Sequence, residues 1–149
     1  MSHSLSSLLT HVVFSTKDRI SCISDEIRRE LCPYIGGIVR EIGGKALIVN
    51  GTGDHMHVLL QLPAAISIAD AMRLMKTNSS RWAHQKWPAA KFSWQVGYGA
   101  FSVSRSNLAQ VVKYIKNQEE HHKRISFQEE FLALLQSHGV EYDERYIWR

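Results

Sequence analysis

The stretch that most restricts the fold is 45–63, KALIVNGTGDHMHVLLQLP, two apolar runs joined by Asn50-Gly51-Thr52-Gly53. Asn-Gly between apolar runs supplies the backbone freedom a tight turn needs, so two adjacent antiparallel strands are expected here. The second run then carries a conflict. Successive side chains of a strand alternate, which puts Met56, Val58, Leu60 and Leu62 on one face and His55, His57 and Leu59 on the other. The apolar set belongs against helices. The two imidazoles, roughly 7 Å apart along the strand, look out from the opposite face.

The flanking segments supply those helices. LLTHVVFSTK (8–17) reads as a first strand, rich in β-branched and apolar residues. Segment 24–44 opens with a Ser cap and early acids, and Ile27, Leu31, Ile35, Ile38, Val39 and Ile42 recur at helical spacing. Pro33 and Gly36-Gly37 should bend or interrupt that helix, and Gly43-Gly44 should end it. Segment 67–87 starts with Ser67 and Asp70 in the manner of a capping box, reads as a second helix, and stops at Pro88. FSWQVGYGAFSVS (92–104) alternates as a strand, with Gly97 and Gly99 marking a bend or bulge. A third helix is expected over 106–124, and a shorter one over about 127–137, before an acidic end. The order β-α-β-β-α-β matches the α+β, ferredoxin-like arrangement, an antiparallel sheet with both helices on one face and the other face open.

Composition narrows the class. A chain of 149 residues with 44% apolar content is expected to form a single domain over 1–149. No run approaches the ~20 apolar residues of a membrane span, and MSHSLSSLLT lacks the pattern of a secretion signal, so the cytoplasm is the expected location. Cys22 and Cys32 should be reduced packing residues. Residues 1–118 hold 14 Lys/Arg against 7 Asp/Glu, whereas 119–149 hold 4 against 7. A basic body suits a polyanion, although the same split also describes a solvated surface.

Two readings of His55 and His57 are open: strand histidines that find hydrogen bonds, or two ligands of one metal ion in need of a third. On helix 106–124, Leu108, Val112 and Ile115 form the packing stripe, and Tyr114 and Gln118, four apart, share a neighbouring face. Tyr114 is either a core or rim residue or a nucleophile. Lys113 and Lys116 would favour a phenolate and a phosphate, and Gln118 offers an amide oxygen to a hard cation. His121, on the same side of the helix, is a lower-ranked ligand. Asp54 either orients a histidine or caps the hairpin turn. A metal, a tyrosine and a basic surface suit phosphoryl transfer through a phosphotyrosine.

DHMHVLL, WQVGYGAFSVS, VVKYIKNQEEHH and DERYIW, in that order and spacing, resemble the single-tyrosine HUH transposases of IS200-like insertion sequences. The resemblance implies a ferredoxin-like fold, His55, His57 and Gln118 as metal ligands, Tyr114 as the nucleophile, and Mg2+ as cofactor with Mn2+ as a substitute. It also implies single-stranded DNA with hairpin ends as substrate, cut to a 5′-phosphotyrosine and a free 3′-OH. The implied assembly is a homodimer in which the tyrosine helix of one subunit completes the histidine site of the other. Such an exchange would cover the open sheet face. Lys17, Arg19, Arg73, Lys76, Arg81, Lys91, Arg105, Lys113 and Lys116 are candidate DNA contacts, and Trp82, Trp87 and Trp94 could stack on bases or pack in the core. The competing functions are a non-catalytic nucleic-acid-binding module and a metal-dependent phosphoesterase that uses water.

Overall fold

In a computed structural model that describes residues 4–149, β1 (Leu9–Ser15), β2 (Lys45–Gly51), β3 (His55–Gln61) and β4 (Gly99–Val103) form one antiparallel sheet in the order β2-β3-β1-β4. The β2–β3 hairpin turns over 52–54, because Asn50 and Gly51, expected to make the turn, are strand residues without positive φ that pair with His57 and Met56. Strand β3 pairs with β1 along its whole length, from Leu9 opposite Gln61 to Ser15 opposite His55. Helices α1 (Asp25–Glu41) and α2 (Ile68–Lys86) start where the capping residues placed them. The Ser24 hydroxyl accepts from the Ile27 amide at 3.2 Å and Ser67 from the Asp70 amide at 3.0 Å. Both helices lie on one face of the sheet, over a core that includes Val12, Phe14, Met56, Val58, Leu60 and Leu62. Cys22 and Cys32 are free thiols packed against that core.

Three further expectations need correction. Helix α1 runs through Pro33 and Gly36-Gly37 without a break. An interior proline costs about 3 kcal/mol, but five residues of the helix, Ile27 to Val39, are buried against the sheet and hold it together. The fourth strand is short. Only Gly99–Val103 pairs with β1, and 92–98 follows an irregular path with one isolated bridge, Thr16 to Trp94. The cause is Gln95, whose side-chain Oε1 accepts from the Ser15 amide at 2.7 Å and so takes the donor that a longer strand would have used. The third helix divides at Asn117 (φ −96°, ψ 24°) into α3 (Leu108–Lys116) and α4 (Gln118–His121).

The second face of the sheet is not open. Helix α5 (Phe127–Ser137), started by a Ser126/Glu129 capping box, packs on it through Phe127, Phe131 and Leu135, which join Val13 and Phe101 in a second core. A second copy of the chain is therefore not required as a cover, and that ground for a homodimer falls away. No helix among the described residues is long and apolar enough to cross a membrane.

Close approach of α5 depends on Gly99. A Cβ there would stand 2.7 Å from the Phe131 ring and 3.1 Å from Phe101, whereas one on Gly97 would meet nothing nearer than 3.8 Å. Gly99→Ala is expected to lower stability by roughly 1–3 kcal/mol through overpacking, with Gly97→Ala within about 0.5 kcal/mol of the parent. Urea unfolding of the two variants checks this, and equal midpoints would refute it.

Candidate active site

The residues on the second face of β3 and β1 converge. His55 and His57 are fully buried, and His11 of β1 is nearly so. Each strand histidine is fixed through Nδ1. His55 Nδ1 lies 2.7 Å from Asp54 Oδ1 and 3.0 Å from Thr52 Oγ1, so Asp54 both orients the ring and ties the hairpin turn through its 3.2 Å bond from Thr52. His57 Nδ1 lies 2.7 Å from His11 Nε2. Their Nε2 atoms point inward and meet a group that sequence reasoning missed, the carboxylate of Glu130 on α5. Its Oε1 is 3.0 Å from His57 Nε2 and 3.4 Å from His55 Nε2.

Two further elements complete the cluster. Asn50, on the β2 edge, donates from Nδ2 to the carbonyls of Ile115 (3.0 Å) and Lys116 (3.2 Å). It thereby satisfies carbonyls that the end of α3 leaves unpaired and pins that end to the sheet. Tyr114, one turn back, is half-buried, and its hydroxyl donates to Glu130 Oε2. Gln118 is buried, with Oε1 at 3.1 Å from His55 Nε2 and Nε2 donating to Glu130 Oε2 at 3.2 Å. His121 was the lower-ranked ligand expected on the Tyr114 side, but His122, one helical turn beyond Gln118, is the ring that points inward. His122 Nε2 stands 3.0 Å from both Gln118 Oε1 and Glu130 Oε1, whereas His121 lies at the rim, 3.3 Å from Glu130 and 3.5 Å from the Tyr114 hydroxyl. His55, His57, His122 and Glu130 present ligand atoms that all lie within 4.8 Å of one another.

The electrostatics follow from burial and these partners. His11 is pushed down to about 3, chiefly by burial and then by the neighbouring His57, so it stays neutral. Burial also opposes charge on His55, but the bonds to Asp54 and Glu130 outweigh it and raise the group to about 9. His57 is lowered, by burial first, even though it touches the same carboxylate. The two rings are 5.1 Å apart and cannot both be cationic, so the proton resides on the ring that also has Asp54. Glu130 is held far below the usual carboxylate range: burial pushes it up, but the bonds from His122, His55 and His57 win. Tyr114 is pushed well above the usual phenol value by burial and by the charge of Glu130. The phenolate expected from Lys113 and Lys116 is thus not the resting state.

The proposed DNA contacts divide into two groups. Arg19 donates to the Trp148 carbonyl at 3.0 Å and lies over its ring, and Lys76 donates to the Val96 and Gly97 carbonyls, so both pin the chain to itself. Lys17, Arg73, Arg81, Lys91, Arg105, Lys113 and Lys116 are exposed. Lys113 joins Arg124 and His121 around a cleft of about 610 Å3 whose wall includes Tyr114. Trp94 is core, with Nε1 donating to Ser79 Oγ at 3.0 Å, while Trp82 stacks on Tyr34 at 4.2 Å and Trp87 packs beside it.

The profile of the IS200-like transposases matches residues 4–118, most of the chain. The chain belongs to the IS200-like transposase family. Transposases of insertion sequence element IS200 from Salmonella typhimurium LT2 and Salmonella typhi are each 30% identical to it over 123 residues, which is 76% of this chain and 78% of theirs. Two solved structures share the transposase fold. A Deinococcus radiodurans R1 protein assigned as a transposase aligns over 79% of this chain and 95% of its own (TM-score 0.65, 24% identity). A REP-associated tyrosine transposase bound to a REP hairpin aligns over 84% and 76% (TM-score 0.62, 16% identity). The family match stops at Gln118, so His122 and Glu130 lie beyond it. A signal for Glu130 was nevertheless present, because it falls on the same helical stripe as Phe127, Phe131 and Leu134.

In chelator, the stability of this transposase is expected to peak near pH 6.5. His11 and His57 bind a proton less readily folded than unfolded, so their contribution is present above about 6.5 and is lost as pH falls, for His11 down to about 3. His55 binds its proton more tightly when folded; its contribution is complete below about 6.5 and is lost as pH rises through about 9. Urea unfolding across this range, with His55→Gln as control, checks it. A parent whose stability is flat on the alkaline side would show that His55 is neutral.

Proposed function

We propose that this transposase cleaves and rejoins single-stranded DNA at insertion-sequence ends, with Tyr114 as nucleophile and His55, His57 and Gln118 as ligands of a divalent cation. The observation that carries the reading is the meeting of the Tyr114 hydroxyl with the inward Nε2 atoms of both strand histidines across one buried carboxylate. The donor set fits a cation. Each strand histidine has Nδ1 engaged by a partner, which leaves Nε2 for a metal, and the Gln118 amide oxygen faces the same space. Mg2+ is the ion the family resemblance implies, with Mn2+ as a substitute.

Tyr114 acts by in-line displacement. Its phenolic oxygen bonds to the scissile phosphorus as the bond from phosphorus to the 3′ oxygen breaks. The phosphate stays on Tyr114 as a 5′-phosphotyrosine, and the departing 3′-OH carries the proton the phenol gives up. One phosphodiester replaces another, so attack by a 3′-OH reseals the strand without ATP. A bound divalent cation would polarise the phosphate and stabilise charge on the leaving oxygen. Glu130 holds the hydroxyl toward the histidines. Lys113 and Arg124, around the cleft at Tyr114, supply positive groups for strand phosphates, and His121 lines the same cleft. The other exposed cations, Lys17, Arg73, Arg81, Lys91, Arg105 and Lys116, serve the flanking hairpin. Hairpin DNA as the substrate is supported by the REP hairpin bound to the structurally similar transposase. The cytoplasm is the location this reading implies.

A homodimer is the assembly the family resemblance implies. In the conformation described, each subunit carries a complete set of site residues. Mixing His55→Ala with Tyr114→Phe separates the arrangements: restored activity identifies exchange of α3 between subunits, and none keeps each site within its own chain.

The central test uses labelled single-stranded hairpin DNA with Mg2+ or Mn2+. The parent is expected to form a denaturant-resistant protein–DNA adduct, Tyr114→Phe none, and His55→Ala or His57→Ala at least about 100-fold less, as loss of a metal ligand predicts. Cleavage that survives Tyr114→Phe without an adduct would make water the nucleophile. Binding without cleavage would leave a nucleic-acid-binding module.

A further inference from the structure

We propose that Glu130 of α5 is the anionic ligand of the divalent cation, with His122 as a third imidazole ligand, so that the metal site extends beyond the family-matched residues. The inference rests on the metal-dependent reading above and adds ligands that reading did not contain.

Four observations carry it. Glu130 is 1% exposed, and its polar partners, among the described residues, are His55, His57, His121, His122, Gln118 and Tyr114. No lysine or arginine is among them. Imidazole nitrogens supply the compensation this carboxylate has, and a metal ion bound by the same nitrogens would supply it in their place. Second, all three histidines are arranged alike. His55, His57 and His122 engage Asp54, His11 and the Ile125 carbonyl through Nδ1, at 2.7, 2.7 and 2.9 Å, and each turns Nε2 to the carboxylate. Rings tied outward through one nitrogen and convergent through the other are the usual support of metal-bound histidines.

Third, the spacing fits. Ligand atoms at right angles around one ion, with bonds of about 2.1 Å, lie about 3.0 Å apart. The separations here are 3.0 Å for His57 Nε2 to Glu130 Oε1, 3.0 Å for His122 Nε2 to Glu130 Oε1, 3.1 Å for His55 Nε2 to Gln118 Oε1 and 3.0 Å for His122 Nε2 to Gln118 Oε1. Fourth, charge decides between ligand sets. Two neutral imidazoles and an amide bring no negative charge to a divalent ion, and Glu130 brings one.

Mn2+ serves as the probe, because free Mn2+ is counted directly by its electron paramagnetic resonance signal. The parent is expected to bind one Mn2+ per chain. Glu130→Gln, which keeps the shape and removes the charge, should weaken binding at least 10-fold, and His122→Ala should weaken it as well. Glu129→Gln, one residue away and exposed, should leave it unchanged. Thermal unfolding with and without Mn2+ gives a second readout: the parent should be stabilised by the ion and Glu130→Gln should not. If Glu130→Gln fails to fold, Glu130→Asp keeps the charge on a shorter stem and should bind with intermediate affinity. Parental Mn2+ affinity in Glu130→Gln, or in Glu130→Asp where only that variant folds, overturns the proposal. A parent that binds no Mn2+ overturns it together with the metal-dependent reading. Loss of the DNA adduct in Tyr114→Phe bears on the nucleophile alone, so the two failures are distinguishable.

Discussion

Strand β3 is buried on both faces, and this condition organises the molecule. A strand cannot turn Met56, Val58 and Leu60 toward α1 and α2 without turning His55, His57 and Leu59 the other way. The first face is an ordinary apolar core. The second must bury two imidazoles, and each ring nitrogen taken from water needs a partner. Asp54 and His11 meet the outward nitrogens. The inward ones draw in Glu130, His122 and Gln118, and no buried side-chain polar atom among the described residues is left without a partner. The helices that deliver these groups also cover the sheet, so shielding and chemistry are the same layer of structure.

Much of this was legible in the sequence because it rests on local rules. The β2–β3 hairpin, the caps at Ser24 and Ser67 and the alternation along β3 each follow from a few neighbouring residues, and together they specify the ferredoxin-like sheet and the face that carries the histidines. Tyr114 and Gln118 were found through their spacing on one helix and through the family resemblance. What escaped depended on distant partners. Gln95 replaces a ladder hydrogen bond with its side chain, and nothing near it in sequence says that Ser15 will be its partner. His122 rather than His121 is the inward ring because it stacks one turn beyond Gln118, and that mattered only once Glu130 was known to stand there. Glu130 was hidden by its surroundings: next to the capping acid Glu129, it reads as one more surface charge until Phe127 and Phe131 are known to be buried.

The basic residues carry a related lesson. Arg19 and Lys76 have the same charge as Lys113, yet one holds the C-terminal segment and the other the loop before β4. Whether a cation is free for a phosphate depends on unpaired carbonyls nearby, and these appear only when chain segments meet. The cleft at Tyr114 is defined less by how many cations the chain has than by which of them the fold leaves unoccupied.

Gly99 bears on the chemistry from a distance. It has no functional group, but Phe131 rests where its side chain would be, one residue along α5 from Glu130. The depth at which that carboxylate stands above the histidines of β3 therefore depends on a missing methyl group on β4, two strands away. A search for reactive side chains would pass over position 99, although the ångström-scale spacing of the site is gauged from there.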